Sequence, residues 1–394
     1  MKLTEVTDKK HIKEFLKVPH LIYKNDKNWI CPLDSDVEAV FDPDRNAYFN
    51  HGEATRWILK DDNDKLIGRV AAFINQNKAR TYEQPTGGMG FFECTDNQDA
   101  AFLMFETCRK WLQERGMEAM DGPINFGEND MFWGLLVDGY MEQSYGMNYH
   151  APYYRKFFED YGFYPFFEQV TNHLDVVKPF PERFWKIASR VAANPSLTFE
   201  HFTYQKADKY IADLKSVYDQ AWVHHEHFTP LNIKDIQTGL EKAKPILDEE
   251  LVWFVYHEGE PIAFLVMFPD INQILRHLNG KMHLLNKLKF FYYLKTHEIK
   301  RTRITVMGVV PKFQRHGIES GIFKKLREVF DRRPYYTEVE LSWVGDFNLK
   351  MRALHEAVGG VLGKKHITYR KLFDPEAEKR RTKTVGPESL RMEA

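Results

Sequence analysis

The stretch that decides the reading is GVVPKFQRHGIES, residues 308–320. It passes from apolar, strand-like residues through Pro311 into Gln314-Arg315-His316-Gly317, and from there into a segment with helical spacing. A glycine-bearing turn between a strand and a helix aims backbone N–H groups at one point, an arrangement suited to phosphate. Gly317 lets the backbone approach closely, and Lys312 and Arg315 add charge. Glu319 is the discordant residue, a carboxylate where such a loop takes a second small side chain. In a first helical turn a carboxylate is itself favoured by about 0.3–1 kcal/mol. The glutamate therefore either turns to solvent and leaves the amides open, or takes the place of the anion.

Working outward, the chain repeats itself. TRWILKDDNDKLIGRVAAFI (55–74) and LVWFVYHEGEPIAFLVMF (251–268) each read as two strands joined by a polar turn. Aligning Ile67 with Ile262 gives an offset of 262 − 67 = 195. FFEDYGF (157–163) and LHEAVGG (354–360) each end an amphipathic helix at a glycine, and Gly162 against Gly359 gives 359 − 162 = 197. Each copy opens with a short strand leading into a helix, over 8–20 and 207–222. The expected organisation is a first unit over 1–177, a linker over 178–197, a second unit over 198–374 and a basic tail over 375–394. Within the linker, 182–193 carries a short helical pattern, and the second unit holds an insertion over 270–302. The fold class is α/β (α+β): two mixed, largely antiparallel sheets flanked by helices.

This order of elements resembles the GNAT acyltransferase fold (Gcn5-related N-acetyltransferases) in tandem. The family's cofactor loop has the form Gln/Arg-x-x-Gly-x-Gly/Ala, which 314–319 resembles except at Glu319. A later signature, Asn-x-x-Ala-x-x-Leu-Tyr-Glu-Lys-x-Gly-Phe, resembles NLKMRALHEAVGG from Asn348 to Gly360. The resemblance implies binding of acetyl-CoA or a longer acyl-CoA by Val309, Val310, Gln314, Arg315, His316, Gly317, Ile318 and Asn348, with the N–H of Val309 or Val310 facing the oxyanion. It implies no metal. The equivalent loop of the first copy, Asp96-Asn97-Gln98-Asp99, has no glycine and two acids, so that copy's cofactor loop is degenerate.

Acyl transfer to an amine needs a proton acceptor for the amine, a donor for the oxyanion and an acid for the leaving thiolate. His355 stands where the family often has its acidic tyrosine, and an imidazole of ordinary pKa suits that work. Tyr369, in the final strand, is a second candidate acid. AWVHHEHFTP (221–230) lies where the family places its acceptor: Glu226 is a candidate base, and Trp222, His224, His225 and His227 are candidate acceptor contacts. Adjacent histidines lack the i, i+4 spacing of two ligands on one helix face, which argues against a metal there. In the first copy, GPINFGENDMFWGLL (122–136) brings Glu128, Asp130 and Trp133 into a Gly- and aromatic-rich loop, which reads either as a cleft lining or as a buried turn at the domain interface.

From Ile271 to His297 there is no acidic residue, while Arg276, Lys281, Lys287, Lys289 and Lys295 alternate with Leu, Phe and Tyr. Such a stretch covers a sheet with a basic outer face, lies on an anionic membrane surface, caps a long acyl chain, or follows nucleic acid. The net charge of −1 excludes a whole-protein nucleic-acid field. Three cysteines without ligand spacing and no apolar N-terminal run point to a reducing, cytoplasmic setting. The leading expectation is an acyl-CoA-dependent N-acyltransferase acting on a small-molecule or lipid-linked amine. The alternatives are a Fem-like transferase taking aminoacyl groups from tRNA, and a non-catalytic GNAT-fold scaffold.

Overall fold

The computed structural model describes residues 1–223 and 231–380. Its first half runs β1 (Lys2–Glu5), α1 (Lys9–Ile22), α2 (Asp34–Val40), β2 (Gly52–Lys60), β3 (Leu66–Asn75), α3 (Gln76–Ala79) and β4 (Thr86–Cys94). It continues through α4 (Gln98–Gln113), β5 (Ala119–Gly122), β6 (Leu135–Asp138), α5 (Tyr154–Tyr161) and β7 (Tyr164–Asp175). The second half opens with α6 (Glu182–Ala192), β8 (Leu197–His201), α7 (Ala207–Trp222), α8 (Ile233–Ala243), β9 (Val252–His257) and β10 (Glu260–Pro269). It closes with α9 (Asn272–Leu275), α10 (Leu284–Lys295), β11 (Arg301–Val309), α11 (Ile318–Arg332), β12 (Glu338–Gly345), α12 (Leu349–Ala357) and β13 (Val361–Leu372). The two hairpins quoted above form β2–β3 and β9–β10, and α5 and α12 both run out at glycines with φ of 94° and 96°.

The two halves share one sheet instead of standing as separate units. Strand order is β1-β2-β3-β4-β5-β13-β7-β12-β11-β10-β9-β8, with β6 set against β13. The last strand of each half is thus exchanged: β13 pairs with β5 of the first half, and β7 pairs with β12 of the second. The cores follow the exchange. Ile367 and Tyr369 of β13 belong to the first half's core, beside Phe92, Phe105 and Phe158, while Leu174 and Val176 belong to the second's, beside Val339 and Leu341. Each half therefore buries apolar side chains borrowed from the other, worth about 1.5–3 kcal/mol apiece. The segment expected as a linker is itself packed: α6 lies on α11, with the Phe184 and Phe323 rings 5.9 Å apart.

On one face of the exchanged strands the side chains are polar and yet buried. Register sets Glu340 opposite His173 and Arg303, Lys364 opposite Thr171, and His366 opposite Gln169. Lys364 donates to Glu340 at 2.5 Å, both fully buried. The first half's loop 123–150 roofs this stripe. Trp133 Nε1 donates to Thr368 (3.1 Å), Arg303 donates to the Tyr145 carbonyl (2.7 Å), and His366 Nε2 meets the Asn148 carbonyl (3.0 Å). Burial pushes His366 down to about 4 and His150 to about 3, each further disfavoured by nearby cations.

Two outcomes follow from this architecture. Residues 1–177 alone lack the strand between β5 and β7 and are expected to give no cooperative melt, whereas the full chain unfolds in a single calorimetric transition; two transitions matching separately stable halves would contradict the exchange. Protonating a buried imidazole is easier in the unfolded chain, so the stability His150 and His366 contribute is complete above about pH 6.5 and is lost as pH falls toward 4. At about 1.4 kcal/mol per pKa unit the contribution is up to about 3 kcal/mol for His366 and about 5 kcal/mol for His150. Glu93, buried and pushed up to about 7, works in the opposite direction between about pH 4.5 and 7. The melting temperature is expected to fall between pH 6.5 and 4, with a shallower slope in His366→Asn; equal slopes in the two proteins would count against it.

Candidate active site

β11 and β12 run parallel and paired only over Arg301–Ile304 and Glu338–Leu341. Beyond that point β12 pairs with β7 alone, and β11 passes through a register shift opposite Val266 and Met267, so the two strands part. Val310 N–H bonds the Ile262 carbonyl at 2.9 Å and is already satisfied. This corrects the expectation that either valine could face an oxyanion. Donors alternate along an antiparallel strand, so Val309 aims its N–H away from β10, into the opening beside β12.

The loop that follows has two residues in the left-handed region, Arg315 (φ 70°) and Gly317 (φ 72°). Gly317 caps α11 without a side-chain bond, and among the described residues no backbone acceptor meets the N–H groups of Arg315, Gly317 or Ile318. Gln314 reaches back to the Val309 carbonyl (3.2 Å), while Lys312, Arg315 and His316 are exposed around the turn. The Ile318 side chain is buried in the core, so only its amide faces the loop. Glu319 is half-buried in the first turn of α11, and burial raises its pKa, an effect opposed by its own backbone. Ser320 N–H closes back on the Gly317 carbonyl at 2.9 Å. The first half differs at the matching place, where the Asn97 side chain caps α4 by accepting from Ala100 N at 3.0 Å.

An open groove of about 420 Å³ adjoins the start of this loop, lined by Ile262, Val310, Pro311, Lys312, Phe313, Gln220 and Val223. The last two flank Trp222 at the end of α7. Its indole stacks on Tyr218 (4.5 Å, 13° between planes) and lies over Gly308, where an added Cβ would come within 2.5 Å of it. Trp222 is thus seated on the strand that leads to Val309.

Across from α7 stands the loop of the first half. Glu128 is held by Tyr48 and by Lys78 (3.1 Å). Asp130 is exposed, yet the protein mass around it pushes its pKa up, an effect opposed by Arg303 and reinforced by Glu128. The phenol of Tyr218 is raised by burial first and then by the charges of Glu128, Asp219 and Asp130. Two carboxylates from the first half therefore share one electrostatic environment with α7 and β11 of the second.

The remaining expected residues divide. Asn348 is the N-cap of α12, accepting from Met351 N at 3.2 Å. His355 is buried on α12, its Nδ1 without a hydrogen-bond partner, and burial pushes it down to about 4; it is neutral at pH 7 and cannot serve as the imidazolium acid expected of it. Tyr369 is carried by the exchanged β13 into the first half's core, where it donates to Glu159 (2.9 Å), which removes it from the second half's chemistry. His224, His225, Glu226 and His227 lie outside the described residues. Arg303, Glu340 and Gln169 were not anticipated. Their signal is the every-second-residue run Glu338-Glu340-Ser342 and Lys364-His366-Thr368-Arg370 in strands buried on both faces. Elsewhere His20, Cys31 and Asp34 bring ligand-type atoms within 4.8 Å of one another, but burial holds the Cys31 thiol up at about 12.

No family model matches the sequence. The chain is 27% identical over 369 residues to the "Bacterial ceramide synthase" of Caulobacter vibrioides, covering 91% of this chain and 94% of that protein. It is 24% identical over 372 residues to "Protein YghO" of Escherichia coli, covering 92% and 93%. Among solved structures it is similar to a tandem GNAT protein from the clavulanic acid biosynthesis pathway, with a TM-score of 0.55 at 10% identity over 95% of this chain and 99% of that one. A GCN5-related N-acetyltransferase from Sphaerobacter thermophilus gives 0.52 at 12% identity over 96% and 98%. With its paired hairpins, parting parallel strands and glycine-capped helix, the chain is a GNAT-fold protein.

Proposed function

We propose that the protein is an N-acyltransferase that moves an acyl group from coenzyme A to the amine of a lipid-linked or long-chain acceptor, at one site built by both halves. The observation that carries this is the junction itself. The second half supplies a glycine-capped loop whose amides at Arg315, Gly317 and Ile318 meet no acceptor among the described residues, and the first half brings the charges of Asp130 and Glu128 within electrostatic reach of Tyr218 on α7. The likeness to a bacterial ceramide synthase along nearly the whole chain supports a lipid amine as acceptor.

In this reading the pyrophosphate takes the amides of Arg315, Gly317 and Ile318, with Lys312 and Arg315 as charge partners. Glu319 moves aside, or is neutralised, its raised pKa lowering the cost of a nearby anion. The groove at Val310 and Ile262 holds the pantetheine arm, and Val309 N–H faces the thioester oxygen. The acceptor's nitrogen attacks the thioester carbon and its proton passes to the Asp130 carboxylate. The C–N bond forms, the C–S bond breaks, and the proton taken up by Asp130 passes through water in the open groove to the coenzyme A thiolate, which leaves as the thiol and returns Asp130 to its carboxylate. A general base of this kind contributes about 10²–10⁴-fold, and a carboxylate of raised pKa is the better base.

A specific observation disfavours the scaffold alternative: among the described residues the amides of Arg315, Gly317 and Ile318 meet no acceptor, so the loop is not closed by Glu319. The test is mass spectrometry of the protein incubated with palmitoyl-CoA and a long-chain primary amine. Amide and free coenzyme A are expected in equal amounts, and Asp130→Asn is expected to lower kcat by about 10²-fold or more. An unchanged rate in that variant would remove Asp130 from the chemistry. Absence of amide with amines of every chain length would remove the function.

A further inference from the structure

Helix α10, within the insertion, is turned inside out. Asn286 is buried, its Nδ2 donating to the carbonyls of Leu278 (2.9 Å) and Lys281 (2.8 Å), and Phe290 one turn later is buried beside it. Leu284, Leu285, Leu288, Phe291 and Tyr292 point the other way, between 53 and 74% exposed. Their spacing of i, i+1, i+4, i+7 and i+8 places them on one helical stripe. They make up five of the fifteen exposed large apolar side chains of the described residues, so the exposure is concentrated, not scattered. On the same helix stand Lys287, Lys289 and Lys295, all exposed and none in an ion pair among the described residues. No acidic residue falls between Ile271 and His297.

We infer that α10 docks the protein on an anionic lipid bilayer, lying in the interface with its leucines and Phe291 among the acyl chains and its lysines at the headgroups. The charge pattern selects this occupant. A second copy packed about a two-fold axis would bring the same lysines against one another, whereas anionic headgroups neutralise all of them at once. The described residues contain no helix long and apolar enough to cross a membrane, so contact through α10 would be peripheral and reversible. A bilayer surface is also where a long-chain amine resides, so this docking extends the reading of the acceptor as lipid-linked and gives it a route of delivery.

Vesicle flotation of the full chain tests it. Vesicles of phosphatidylcholine with phosphatidylglycerol are expected to carry the protein, vesicles of phosphatidylcholine alone to carry far less, and rising salt to release it. The triple change Leu284→Ser, Leu288→Ser, Phe291→Ser and the pair Lys287→Glu, Lys289→Glu are each expected to weaken binding about tenfold or more, with an unchanged melting temperature because all five sites are exposed. No flotation of the wild type, or equal flotation of the variants, overturns the inference. So does a wild-type dimer in sedimentation velocity that the triple change dissolves, since the stripe would then be a self-association face. Acyl transfer to a short, water-soluble amine is measured in parallel. Its survival in all variants separates failure of docking from failure of the enzymatic reading.

Discussion

Glu340 is the constraint around which the molecule is arranged. It sits fully buried on β12, and burial alone would push its pKa up; Lys364 from β13, His173 from β7, then Arg301 and Arg303 from β11 hold it well below the usual carboxylate range. A charge so placed is tolerated only while its partners stay in position, and removing one partner of a buried pair costs about 3–5 kcal/mol. Those partners come from both exchanged strands, so the ion cluster fixes which strand lies between which. With β7 and β13 locked, the first half's loop has one surface to lie on. The position of Asp130 is a consequence of that docking.

Exchange also accounts for the asymmetry between two halves of common design. Both have a strand that leads into a helix at the place where a GNAT-fold protein can hold a phosphate. In the first half Asn97 satisfies the helix start, and the opening beside β4 is occupied by loop 123–150, with Ile124 N–H on the Met89 carbonyl and Gly90 against Ile124. In the second half Gly317 leaves the helix start uncapped by any side chain, and the parted strands stay open toward α7. One half has become the wall beside the other's parted strands.

Local features of this arrangement were legible in the sequence. The hairpins, the helices ending at Gly162 and Gly359, and the strand–turn–helix at 303–330 announce themselves by period and by glycine. The degenerate first loop was visible in Asp96 and Asp99. The exchange was not, because pairing partners of a terminal strand depend on long-range packing that leaves no local mark; this is why Tyr369 was assigned to the wrong half. His355 could not be read either. A histidine's usefulness as an acid depends on its burial, and nothing in LHEAVGG distinguishes a solvated imidazole from a sealed one. Asp130 was visible as a residue of a cleft-like loop, but its electrostatic setting involves Arg303 and Tyr218, more than 80 residues away in the chain.

The central claim is one acyl-CoA site per chain, made by the second half's loop and closed by the first half. Calorimetric titration with palmitoyl-CoA tests it most directly, on the wild type and on Arg315→Glu. The account predicts a stoichiometry of one, with affinity lowered at least about tenfold in the variant by removal of a cation and addition of an anion at the phosphate. A stoichiometry of two, or binding indifferent to Arg315, would contradict it.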